Sequence, residues 1–346
     1  MARESVELGP RTQAGMAEAL GVDLGTWQGW ESGRRPLANV KVGSLMELRR
    51  RLLTMGGDSL VIGLLDAAMD ADRIVSATIE PEATRHPLAD WVHTRDTAHM
   101  IAWALNGTTP PLLAARGPKA RRGPSASAPL LSAQDRNSFF TRLREAADAA
   151  AICDEDGTLL HRQALYLNSY DRSAESASWT MHALRSRPGL LGARGWTPGW
   201  AAARSTAAAL ARLGDPQPLQ DFIDRALADD EMAERANLNY WAYWTGAIRE
   251  PQANDHFMHG RGNRWEPQRL LRGLVDGLHQ APSYTDLYVH SLWALITTHP
   301  WLPLAAPDLS QRLEQQTAAL LDFDGGTTRI RRELSTVHYV LREMNK

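Results

Sequence analysis

The chain has 346 residues, is 43% hydrophobic and 23% charged, and carries a formal net charge of −2. That length suits two or three domains and the composition can bury a core; the near-neutral balance excludes a wholly basic nucleic-acid binder, so any DNA-binding surface must be local. A single cysteine, Cys153, excludes an intramolecular disulfide and a thiolate zinc cluster, and fits a reducing cytoplasm.

Residues 1–10 hold Glu4 and Glu7 and no apolar stretch, so no signal peptide is expected; no apolar run is long enough for a membrane span. Thr12-Gln13 opens a predicted helix that runs to Leu20 and stops at Gly21. Asp23 is placed to cap a second helix that ends at Gly33, with Pro36 preventing quick resumption. A third is predicted over 42–53, where Leu45, Met46, Leu48 and Leu52 share a stripe. Two more are predicted over 59–77 and 86–105. The composition then changes. Residues 107–135 are rich in Pro, Gly, Ser and Ala around a basic knot of Arg116, Lys119, Arg121 and Arg122, and are expected to be a mobile linker. Helical patterns follow over 137–153, 163–169, 175–187, 200–213, 218–228, 232–248, 267–278, 284–298, 309–321 and 329–343. Helix pairs recurring at roughly 35–45-residue intervals suggest an α-solenoid. No segment alternates as a half-buried strand does. The expected fold class is all-α. Its expected domains are 1–55, a helical extension over 56–106, the linker over 107–135 and a helical domain over 136–346.

Residues 11–36 carry the most specific pattern. Thr12-Gln13 begins a first helix, Ala17 is small where two helices cross, and Leu20-Gly21-Val22 forms the turn. Thr26, Trp27, Trp30, Glu31 and Gly33 follow in the second helix, and then Arg34-Arg35-Pro36. This segment resembles the repressor-like helix-turn-helix of the xenobiotic-response-element family, over about the first 55 residues. The resemblance implies that the second helix enters the major groove and that two half-sites are read by a homodimer. Met16, Ala17, Leu20, Val22, Trp27 and Trp30 can form the core that holds it. Gln13 at a helix N-terminus can donate to a phosphate, and Arg34 and Arg35 can clamp the backbone. The positions that usually touch bases in this family fall on Leu24, Gly25 and Gly29. None of these hydrogen-bonds a base through its side chain, which leaves Thr26 and Gln28 as polar readers and Leu24 for a thymine methyl. Direct readout is expected to be sparse, with shape and dimer spacing supplying specificity.

Other constellations read more plainly. His256 and His259 lack the glutamate of a zincin and are followed by Gly260 and Gly262; a surface turn is expected, and no metal or cofactor. Asp154-Glu155-Asp156-Gly157 lacks the remaining ligands of a calcium loop and reads as an acidic turn. Cys153 reads as a small core residue. Many of the 12 tryptophans lie in the C-terminal region, interleaved with tyrosines. They either staple a helical array or line a pocket for a small molecule or peptide. Asn237, Asn239, Tyr240 and Trp244 share neighbouring turns of one helix, and Arg249 follows; Asn237, Tyr240, Trp244 and Arg249 are the candidate ligand-binding residues. No catalytic triad spacing or phosphate-binding loop is recognisable, so an enzyme is not expected.

The resulting expectation is a bacterial transcriptional regulator. Its N-terminal module binds double-stranded DNA, and its C-terminal helices dimerise or sense an effector. The alternatives are a protein-interaction scaffold with a degenerate helix-turn-helix and, third, an enzyme of unknown chemistry.

Overall fold

The computed structural model describes residues 12–80, 85–115, 130–150, 154–187, 189–262, 265–322 and 327–344. About three-quarters of the molecule is helical, and no strand occurs among the described residues. The all-α expectation therefore stands. Val92 and Gln252 form an isolated antiparallel bridge. No described helix is long and apolar enough to cross a membrane. The basic knot at Arg116, Lys119, Arg121 and Arg122, and Cys153, lie outside the described residues.

By internal contact the chain divides into two units: residues 1–87 with 96–142, and residues 88–95 with 143–346. In the first, α1 (Gln13–Leu20) and α2 (Leu24–Glu31) form as their caps dictate. The Thr12 hydroxyl accepts from the Gly15 N–H, and Gly21 adopts φ +67°, the left-handed conformation that closes α1. Asp23 then caps α2 by accepting from the Thr26 N–H at 2.7 Å. Next come α3 (Val42–Thr54), α4 (Ser59–Gly63) and α5 (Leu65–Ile79). Met16, Ala17, Leu20, Trp27, Leu48, Leu52 and Ile62 form one core, with Val22 and Trp30 against its edge. The single helix predicted over 59–77 is broken after Gly63, where Leu64 turns inward and is buried.

The helix predicted over 86–105 is also shorter than expected. Only α6 (Arg95–Asn106) is regular, after a 3-10 turn at Pro87–Ala89. The reason is tertiary. The Gln163 amide donates to the carbonyls of Leu88 and Trp91 and accepts from the His93 N–H, so this segment's polar groups are satisfied by a distant side chain instead of a helical ladder. Within the expected linker, α7 (Pro111–Ala114) is a single turn. α8 (Ala133–Ala149) begins four residues before the predicted start, because the Ser132 hydroxyl accepts from the Asp135 N–H.

The second unit continues with α9 (Glu155–Asn168), α10 (Ala174–Arg185), α11 (Pro198–Arg212), α12 (Gln217–Phe222) and α13 (Glu231–Trp244). It ends with α14 (Pro267–Gln280), α15 (Thr285–Thr298), α16 (Leu302–Ala305), α17 (Pro307–Asp322) and α18 (Thr328–Met344). The expected acidic turn at 154–157 is instead the start of α9. Asp154 caps it, and Glu155 and Asp156 lie in the first turn, where carboxylates suit the helix dipole. α11 is the central element. Every residue from Trp200 to Ala211 is buried, and its alanines let neighbouring helices approach. Helix pairs α9/α11, α14/α15 and α17/α18 pack together, and α15 also packs on α18.

Candidate nucleic-acid face and a buried arginine–tyrosine cluster

The core around Trp27 fixes which side of α2 faces outward. Trp27 is 4% exposed and meets Trp30 edge-on, with ring centroids 6.2 Å apart. Leu24, Gly25, Arg34 and Arg35 are exposed, and Gln13, Thr26 and Gln28 are half-buried. These polar side chains form two short chains of hydrogen bonds. Gln28 Nε2 donates to Gln13 Oε1 at 3.2 Å, and Gln13 Nε2 donates to Glu31 at 2.7 Å. Arg35 donates to the Thr26 hydroxyl at 2.7 Å, which itself donates to Asp23 at 2.5 Å. The bonds from Thr26, with Arg35 beside it, hold the Asp23 carboxyl below its ordinary range, so it stays ionised.

Two expected contacts are changed by this arrangement. Gln13 is turned toward Gln28 and Glu31, so its amide is already engaged. Thr26 is committed at its hydroxyl to both Arg35 and Asp23. Gly29 has a structural use: a Cβ there would stand 2.9 Å from Arg35 Cδ, so the missing side chain lets Arg35 lie across the helix. Arg34 donates to the Ser32 hydroxyl at 3.2 Å. Residues 12–55 carry six cationic and four acidic side chains, so the face is only mildly positive.

In the second unit Asn237, Asn239 and Tyr240 on α13 are buried, Trp244 is half-buried, and the two asparagines are bonded internally. Asn237 Oδ1 accepts from Arg204 Nε at 2.9 Å, and its Nδ2 donates to Ser291. Asn239 donates to the carbonyls of Met258 and Gly260 and accepts from Trp265 Nε1. Tyr240 stacks near-parallel with Trp244 at 6.0 Å, and Trp244 meets Tyr166 edge-on at 5.2 Å. Arg249 is exposed, and its backbone N–H donates to Glu250; it does not join this group.

Three arginines, none of them anticipated from sequence, line the same region. Arg162 is ion-paired with Asp255 through two bonds, one of them 2.7 Å. Arg204, 5% exposed, lies 4.1 Å from the Tyr240 ring centroid and 5.0 Å from that of Trp241. Arg212 lies 4.5 Å, 4.2 Å and 5.4 Å from the rings of Tyr166, Tyr170 and Tyr284, and donates to the Tyr166 hydroxyl at 2.8 Å. Arg204 and Arg212 make no ion pair among the described residues. Arg204 Nη2, Arg212 Nη1 and the Tyr284 hydroxyl are buried with no hydrogen-bond partner among the described residues. Burial pulls Arg204 down to about 10, so it remains a cation at neutral pH. The tyrosines cannot neutralise it, because burial pushes the hydroxyls of Tyr166, Tyr284 and Tyr288 above their ordinary value. Stacking on a desolvated ring recovers about 2 kcal/mol. Burying an unpaired ion costs several kcal/mol. One signal was available in the sequence: Arg204 is the only charge between Pro198 and Ala211.

His256 Nε2 donates to a Glu155 carboxylate oxygen at 2.8 Å, and His259 stacks on Trp196 with centroids 4.2 Å apart. Both belong to a 3-10 turn, Asp255–His259. Among the described residues no cluster of His, Cys, Asp and Glu has metal-binding geometry. A separate groove of about 400 Å³ runs between α14 and α17, lined by Asp276, His279, Arg312 and Gln316 among others. It contains none of the candidate ligand residues.

No protein-family model matches the chain, and no curated protein or solved structure matches it.

Proposed function

We propose that the chain is a sequence-specific DNA-binding transcriptional regulator that acts in the cytoplasm as a homodimer, with α2 as its reading helix. The observation that carries this is the state of Gln28. Its bond to Gln13 uses one N–H and sets the side chain's direction, while its carbonyl oxygen and second N–H have no partner among the described residues. A donor and an acceptor side by side are what the adenine edge requires in the major groove. Exposed Leu24 lies four residues earlier, one turn away, where it can meet a thymine methyl. Arg34 and Arg35 supply phosphate contacts, which set affinity without reading sequence.

The test begins with genomic immunoprecipitation to find target duplexes, followed by titrations on a target and on random DNA at several salt concentrations. Replacing both Arg34 and Arg35 by Ala should weaken binding to the two duplexes by similar factors. It should also flatten the salt slope by about two units, because two phosphates are no longer neutralised. Gln28→Ala should instead narrow the gap between target and random DNA, at a nearly unchanged slope. A second reading, an interaction scaffold, draws on Val42 and Met46 of α3 and Leu60 of α4, which are 73%, 50% and 56% exposed. Absence of binding to either duplex at low salt would favour that reading over DNA recognition.

A further inference from the structure

We infer that the second unit binds a small organic anion, a carboxylate or phosphate on a flat apolar body, in the cluster formed by Arg204, Arg212, Tyr166, Tyr240, Trp244 and Tyr284. The inference does not depend on DNA binding. The chemical class follows from what the cluster lacks. Two guanidinium groups, that of Arg204 buried and that of Arg212 half-buried, have no carboxylate partner among the described residues, and each has a buried nitrogen with no hydrogen-bond partner there. The third arginine of the region, Arg162, shows the alternative, since it has Asp255. A buried cation with unsatisfied donors is stabilised by an arriving anion that accepts those hydrogen bonds. The Tyr284 hydroxyl, whose ring lies 5.4 Å from the Arg212 guanidinium, adds a neutral donor beside it.

The surroundings define the rest of the ligand. Arg204 and Arg212 are eight residues apart on α11, about 12 Å along a helix axis. Aromatic rings fill the wall between and around them. Tyr240 and Tyr284 are buried, and Tyr166, Trp244 and Arg212 are half-buried. Rings of this kind favour a planar apolar body, and a cationic interior rejects a neutral one of the same shape. Asn237 fixes the Arg204 side chain through Nε, and Nη2, buried with no partner among the described residues, is left for the ligand.

The experiment uses the full chain and three probes of one shape: 1-naphthoate, 1-naphthyl phosphate and 1-naphthalenemethanol. Binding is read by tryptophan quenching and calorimetry, and stability by thermal melting. One or both anions should bind saturably and raise Tm, and which of them binds identifies a carboxylate or a phosphate site. The alcohol should bind about tenfold more weakly or worse, since it cannot accept charge-assisted bonds. Arg204→Met and Arg212→Met should each weaken the anion by a similar factor. Thermal melting of the ligand-free Arg204→Met and Arg212→Met proteins establishes that each is folded before its affinity is compared. The inference is overturned if neither anion binds at millimolar concentration, if the alcohol binds equally well, or if the arginine variants bind unchanged. Loss of DNA binding in a separate assay leaves every one of these outcomes readable.

Discussion

His161 illustrates how a single residue couples this fold to pH. It is 5% exposed on α9, packs against Trp179 with centroids 6.0 Å apart, and has no partner at Nδ1. Burial, and secondarily the Arg187 charge, pull it down to about 4. The unfolded chain takes up that proton near pH 6.5, whereas the folded chain does so only near 4. Between these values the unfolded state holds more protons, so stability falls as pH drops from about 6.5 to about 4 and is level below that. The shift corresponds to roughly 3 kcal/mol. Urea unfolding of the parent and of His161→Phe across this range should show the parent losing about that much relative to the variant. Parallel curves would mean that His161 is protonated in the fold. Nothing in the sequence around Leu160-His161-Arg162 distinguishes this histidine from a surface one; Trp179 and Arg187 come from a different helix and its exit.

At the scale of elements, α14 depends on two glycines one turn apart. A Cβ on Gly277 would stand 2.4 Å from the Tyr288 hydroxyl and 2.5 Å from its ring, and one on Gly273 would stand 2.4 Å from Thr245 Cβ. Neither glycine has positive φ, so the reason is close approach and not backbone conformation. In an exposed helix Gly→Ala would gain about 1 kcal/mol. Here overpacking should outweigh that gain, and Gly277→Ala should lower stability by roughly 1–3 kcal/mol, read as a lower Tm. A raised Tm would show that α14 and α15 have room to separate. Periodicity and caps made the helices themselves legible. α1, α2 and α3 lie within a residue or two of their expected bounds, because Thr12, Asp23 and Gly21 act locally. The break after Gly63 and the loss of helix over 88–94 were not legible. The first depends on Leu64 entering a core, and the second on Gln163, some 70 residues away.

For the whole molecule, two units with separate cores should not unfold as one. Trp27 belongs to the core of the first unit, and Trp27→Ala should cost roughly 3–5 kcal/mol. Asp255 belongs to the second, where Asp255→Asn leaves Arg162 buried and unpaired, at a cost of about 3–5 kcal/mol. Each variant should shift one of two denaturant transitions and leave the other in place, with the double variant shifting both additively. Hydrogen exchange would assign each transition to its helices. A single transition moved by either change would mean that the units unfold together.

The sequence alone determined the all-α class, the short paired helices α1 and α2, the burial of Trp27, and the aromatic enrichment of the C-terminal half. All of these follow from spacing, capping and turn chemistry, which act over a few residues. Only the tertiary structure decided the rest. It turned Gln13 toward Gln28 and Glu31, laid Arg35 across Gly29, left Arg249 outside the α13 cluster, and brought Arg204 and Arg212 among tyrosines from α9, α13 and the α14–α15 connection. Burial and charge pairing are properties of helices that meet from distant parts of the chain. A sequence can mark an arginine in an alanine-rich run as unusual, but whether a carboxylate meets it depends on how those helices are packed.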